Sequence, residues 1–182
     1  MSTCCIRTLK PNVTQEEALQ AFSAAGFSAL YWRILRGSLR RIAKVYVPYF
    51  LFYVEHDGNM RPRLFAMDAV NGSLDLFEFP RIPDYSDLQA CEGRNRFEAQ
   101  LTIELAAEVL REKVARVFFQ EGFFKLRDLR LEITAVPCEL YLPYWLGFYE
   151  RNGSVRCRVL DAVRRRIEGA KASAFFEQWL AA

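Results

Sequence analysis

The chain has 182 residues, of which 52% are hydrophobic, 14% aromatic and 26% charged. That composition excludes a disordered chain, a collagen-like repeat and a low-complexity tail, and it suffices for one domain of ordinary size or two small ones sharing a core. The net charge of +3, from 25 Lys+Arg against 22 Asp+Glu, is too mild to demand nucleic acid or an anionic membrane as partner.

The first readable element is a capping box, Thr14-Gln15-Glu16-Glu17, in which the Thr side chain accepts from the N3 amide and Glu17 reaches back. Ala18, Leu19, Phe22 and Ala25 then form one helical stripe, and Gly26 sits where a C-cap glycine belongs. Arg40–Val45 and Tyr46–Glu55 read as strand, followed by a turn through His56-Asp57-Gly58-Asn59 and Arg61-Pro62. A strand over Arg63–Val70 ends in the tight turn Asn71-Gly72. Pro80 and Pro83, followed by Asp84 and Ser86, mark a boundary at residues 80–94.

Asn95-Arg96-Phe97-Glu98 reads as the cap of a longer helix with the stripe Ala106, Val109, Leu110, Val114, Val117 and Phe118, stopping near Gly122. A strand over Leu129–Val136, ended by Pro137, precedes a second aromatic strand, the hairpin dipeptide Asn152-Gly153 and a partner strand. The last helix, Ala172–Ala181, presents Phe175, Phe176, Trp179 and Leu180 as a stripe that must dock on the body.

Two segments repeat. Tyr46-Val47-Pro48-Tyr49-Phe50-Leu51-Phe52-Tyr53-Val54-Glu55 matches Tyr141-Leu142-Pro143-Tyr144-Trp145-Leu146-Gly147-Phe148-Tyr149-Glu150 at five of ten positions. Arg63–Val70 matches Arg156–Val163 at four of eight, both ending Asp-Ala-Val. So much identity exceeds chance usage and implies an internal duplication. Neither face of the aromatic strands is polar, so both faces must be covered. The expected fold is α+β: two tandem helix-plus-antiparallel-sheet units, residues 1–85 and 90–182, related by a pseudo-twofold axis, with a C-terminal docking helix. The two sheets are expected to pack on each other or to form a homodimer.

A helix followed by a curled antiparallel sheet resembles the cystatin-like plan. Met67-Asp68-Ala69-Val70-Asn71-Gly72-Ser73-Leu74 resembles the ending of PepSY-type repeats, although Arg164 and Arg165 replace Asn-Gly in the second copy. The resemblance implies a small bacterial module that inhibits or accompanies peptidases, or is carried on membrane proteins.

Met1–Asn12 holds no apolar signal core, and Val45–Val54 and Leu140–Tyr149 are about half the roughly 20 residues of a membrane span, so a cytoplasmic protein is expected. The five cysteines Cys4, Cys5, Cys91, Cys138 and Cys157 are irregularly spaced and read as free thiols, with a redox or metal role for Cys4-Cys5 the lesser alternative to a frayed terminus. No metal site and no cofactor is expected, and no nucleophile, phosphate-loop or metalloprotease motif is present. An enzyme is therefore the weaker expectation.

The repeated acids Asp68 and Asp161 read first as turn caps and second as paired carboxylates flanking a cleft. Glu55 and Glu150 read as solvated strand ends, and His56, the only histidine, as a surface loop residue. Tyr49, Phe50, Tyr144 and Trp145 read as core or as the lining of an apolar ligand pocket shared with the two aspartates. Two basic stretches, one with Arg33, Arg36, Arg40, Arg41 and Lys44 and one with Arg164, Arg165 and Arg166, are the surface on which nucleic acid would bind, a reading that the low net charge disfavours. The leading expectation is a non-catalytic binding module with a protein or peptide partner. A small-molecule binder or minor enzyme with an aromatic pocket and a nucleic-acid binder are the alternatives.

Overall fold

Two strands of unusual length organise the molecule. The computed structural model describes residues 5–23, 37–56, 61–92, 94–121, 130–151 and 153–181. In chain order the elements are β1 (Cys5–Leu9), α1 (Gln15–Ser23), β2 (Ser38–His56), β3 (Arg63–Asp68), β4 (Phe77–Phe79), β5 (Leu88–Glu92), α2 (Ile103–Gln120), β6 (Leu131–Arg151), β7 (Ser154–Asp161), β8 (Arg166–Ile167) and α3 (Ala170–Ala181). At 19 and 21 residues, β2 and β6 are more than three times the usual strand of about 5–6. Both are rich in β-branched and aromatic residues, which fit a pleated surface.

The fold is α+β with a large, mostly antiparallel sheet. Its strands run β4-β3-β2-β6-β1-β5, with β7 also on β6 and β8 on β7. The expectation of two stacked sheets is corrected here, because β2 and β6 pair edge to edge along almost their whole length and make one sheet. Within the 80–94 stretch, Leu88–Glu92 belongs to that sheet as well, since β5 pairs with β1.

The two similar segments meet at their centres. Val47 pairs with Leu142, Tyr46 with Pro143 and Pro48 with Tyr141. β3 pairs with the second half of β2, Tyr49 opposite Asp68, and β7 with the second half of β6, Tyr144 opposite Asp161. Pro48 O accepts from Ala69 N at 2.8 Å and Pro143 O from Ala162 N at 3.1 Å. A strand residue's N–H and C=O point the same way, so each proline's missing donor faces the outer side where β3 or β7 ends, and no ladder bond is lost. The strand expected to stop at Pro137 runs through it. Tyr49 pairs with Leu140 and Leu51 with Val136, so Pro137 lies in a bulge that asks it for no donor.

Alternation along β2 and β6 sends successive side chains to opposite faces. One face carries Val45, Val47, Tyr49 and Leu51 with Leu140, Leu142, Tyr144 and Leu146, and α3 covers it with Ala172, Phe175 and Phe176. Phe97 stacks beneath that helix, 5.4 Å from Phe175 and 4.2 Å from Trp179. Trp179 and Leu180 remain 38% and 42% exposed, so only part of the expected stripe docks.

The other face carries both remaining helices. α2 lays Ala106, Leu110, Val114 and Phe118 over Phe52, Val54, Phe65 and Met67. α1 lays Ala18 and Phe22 over Trp145, Tyr149 and Leu160. Leu19 of the expected α1 stripe is 48% exposed, while Ala25 and Gly26 lie outside the described residues. The capping box of α1 forms: Thr14 N donates to Glu17 Oε2 at 2.8 Å and Glu17 N to Thr14 Oγ1 at 3.2 Å. α2 starts later than the Asn95 cap implied, on Thr102, whose side chain accepts from Leu105 N. Asn95 and Phe97 instead run beside β2, with Asn95 O accepting from Tyr46 N and Phe97 N donating to Tyr46 O. Among the described residues no helix is long and apolar enough to cross a membrane.

Gly147 is where α1 comes closest to the sheet. A Cβ there would lie 2.8 Å from Phe22 Cγ. Gly147→Ala should therefore lower stability by about 1–3 kcal/mol in urea denaturation, the usual cost of overpacking. Phe22→Leu in the same chain should recover part of that loss, because the two positions are in contact.

Candidate functional site

The four aromatic candidates do not line one pocket. Adjacent strand residues face opposite ways, so Tyr49 and Tyr144 meet beneath α3 while Phe50 and Trp145 lie on the other face, near α2 and α1 respectively. The Tyr49 and Tyr144 hydroxyls share a 2.6 Å hydrogen bond. Burial raises both phenols above their ordinary range, and the neighbouring carboxylates add to it. A buried pair of this kind contributes about 0.5–1.5 kcal/mol and joins β2 to β6.

Asp68 and Asp161 are 0% and 1% exposed and close the turns after β3 and β7. Asp68 Oδ1 accepts from Asn71 N and Gly72 N, and its Oδ2 from Leu74 N, at 2.8–3.0 Å. Asp161 Oδ1 accepts from Val163 N and Arg164 N, both at 2.8 Å. Its Oδ2 has no hydrogen bond and faces Arg164 Nε at 3.8 Å. Burial raises the Asp161 carboxyl above its ordinary value despite those two amides and Arg164. The backbone is left-handed at Gly72 (φ 67°) and at Arg165 (φ 58°). The arginine is held there by its own side chain, which donates to Asn12 O at 2.7 Å and Glu17 Oε1 at 2.6 Å.

The basic stretches are drawn into the fold. Arg164 stacks 3.9 Å above the Phe77 ring and donates to Leu76 O, and Arg166 pairs with Glu168 and Asp75. Arg40 pairs with Glu150 at 3.4 Å, and Arg41 lies 4.8 Å over the Phe148 ring. Arg33, Arg36 and Cys4 lie outside the described residues. His56 ends β2 rather than lying in a loop, its ring edge-on to Phe118 at 5.2 Å. Glu55 is exposed, opposite Glu132. The Cys157 thiol, buried under α3, is pushed up to about 12 by burial and by Glu177, which leaves little thiolate at neutral pH. Among the described residues no cluster of three or more His, Cys, Asp or Glu side chains is placed to hold a metal ion.

One concavity was not singled out by the sequence. An open groove of about 570 Å³ runs between the start of α1 and the sheet. Among the described residues, Val13, Ile42 and Trp145 supply apolar walls, Thr14, Gln15 and Asn95 neutral polar groups, and Lys44 a charge. Lys44 pairs with Trp145 across β2 and β6, so the two side chains share a face. The ammonium lies 5.3 Å from the Trp145 ring centre and 6.0 Å from that of Tyr46. Burial lowers the pKa of the Lys44 amine. Trp145 is itself fixed, donating Nε1–H to Val13 O at 3.2 Å. The signal available in advance was the register: a lysine in a basic stretch sits opposite a tryptophan once the two similar segments pair centre to centre.

No family model, curated protein or solved structure matches the chain.

The two aspartates should separate on substitution. Asp68→Asn turns an amide N–H₂ toward a backbone donor and should cost about 1–3 kcal/mol, whereas Asp161→Asn keeps both backbone bonds through its remaining oxygen and should cost less. The Asp161 carboxyl has a higher pKa folded than unfolded, so the folded chain binds more protons between the ordinary value, 3.8, and the raised one. Stability from this group is thus full below the ordinary value and is lost as pH rises through the raised one. Glu168 moves the same way. Urea midpoints measured from about pH 4 to about pH 7 should fall less steeply in Asp161→Asn than in the parent chain.

Proposed function

We propose that the chain is a non-catalytic binding module, formed by tandem duplication of a helix-plus-hairpin unit, whose working surface is the groove at Lys44 and Trp145. The observation that carries this reading is the division of polar groups. The repeated tyrosines and aspartates are turned inward and consumed by each other or by turn amides. The groove combines a fixed aromatic wall, neutral hydrogen-bonding side chains and one cation in an open concavity. Such a surface suits recognition, with a few placed polar groups on an apolar ground.

The duplication is supported by contacts that recur at matched places. Thr8 pairs in parallel with Tyr141, as Arg96 does with Tyr46. Asn12 N donates to Ala162 O at 2.7 Å, as Gln100 N does to Ala69 O at 2.9 Å. Thr14 and Thr102 then open α1 and α2. In this reading a pseudo-twofold axis passes through the Val47–Leu142 pair, and each helix lies over the hairpin of the other copy. Each unit, a helix laid across an antiparallel sheet, is of the cystatin-like kind. A cytoplasmic protein with a protein or peptide partner fits this surface better than a nucleic-acid binder, because Arg164, Arg165 and Arg166 are held within the chain.

A screen of mixed amidated pentapeptides by ¹H–¹⁵N NMR tests the reading. Resonances of Val13, Ile42 and the Trp145 indole should move, with those of Asp161 to Arg164 unchanged. Shifts confined to Asp161, Arg164 and Tyr144 would point to the small-molecule alternative instead.

A further inference from the structure

The groove fixes the kind of peptide it would take. Among the described residues that line it, Lys44 is the one charged side chain and none is acidic. Among the described residues no carboxylate forms an ion pair with Lys44; Arg7 and Arg41 also lie over rings without one, but neither lines this groove. The cation instead rests over the Trp145 and Tyr46 rings, which attract it while leaving its N–H donors available.

The other polar groups match an amide backbone. Asn95 and Gln15 each carry a primary amide, and Asn95 Nδ2 is spent on Lys44 O at 3.1 Å, which leaves its Oδ1 as an acceptor. The groove is open, whereas sites for small molecules enclose most of the ligand, so an extended chain passing through it fits better than a compact one.

Resting on the function proposed above, we infer that the groove binds a short extended peptide segment in which one acidic side chain, flanked by apolar residues, places its carboxylate on Lys44. The flanking residues lie against Val13, Ile42 and Trp145, and the peptide amides meet Gln15 and Asn95.

The test uses the full chain and an array of acetylated, amidated pentapeptides with Glu or Gln at the centre and every combination of Ala, Val, Leu and Phe beside it. The Trp145 indole resonance and isothermal titration report binding. Glu peptides are expected to bind at least about tenfold more tightly than their Gln counterparts, the scale of one charge-assisted bond. Lys44→Gln should remove that preference and Lys44→Arg should retain it, both with an unchanged urea midpoint. Groove shifts of equal size for Glu and Gln peptides would overturn the acidic specificity and leave the peptide-binding reading standing. Absence of groove shifts across the whole array would overturn both. Tight binding of hexanoate with none of the peptides would assign the site to free carboxylic acids and overturn the inference.

Discussion

Everything in this molecule depends on the pairing of β2 with β6. The register around Val47 and Leu142 brings the two similar segments together so that Tyr49 and Tyr144 bond across the strand pair. A shift of one residue would turn every side chain of a strand to the other face and place those hydroxyls apart. The pairing also sets what must cover the sheet. Because both faces of the aromatic segments of both strands are apolar, α3 is required on one side and α1 and α2 on the other. Each hairpin partner, β3 or β7, is then registered by an aspartate that closes the following turn.

The local devices were legible in the sequence. The Thr14–Glu17 box, the α2 stripe and the Asp-centred turns depend on spacing within a few residues, and spacing is what a sequence displays. The joins were less legible. Pro137 looked like a strand end because its tolerance depends on a bulge created by the opposite strand. Asn95 looked like a helix cap because its use by the backbone of Tyr46 is a long-range matter. Residue kind alone groups the aromatic quartet, although Tyr49 and Phe50 are adjacent and must diverge. Sequence displays only the charge of Lys44. Its partner, Trp145, lies about a hundred residues away and is brought to it only by the strand register.

The arginines show how charge that looks available in a sequence can be committed by a fold. Arg165 occupies a left-handed position that glycine fills at the matching turn, and its side chain ties that turn to Asn12 and Glu17. Arg164 covers the ring of Phe77 beside Asp161. These groups act as struts between β7 and the elements around it. Lys44, like Arg41, has rings rather than a carboxylate beside it, but it lies in a groove.

The crossing of each helix onto the far hairpin has a consequence for biosynthesis. β2 leaves the ribosome before the strand that completes it, and the stretch from His56 to Leu131 takes on the order of ten seconds to synthesise at about 5–20 residues per second. At first β2 has β3 beside it, then the Asn95–Phe97 stretch and α2 on part of its length, while its β6 edge stays unpaired and α1 waits for a surface not yet translated. The nascent first half thus carries an unpaired apolar strand edge until β6 is made, and a pause in translation after β3 lengthens its exposure to aggregation.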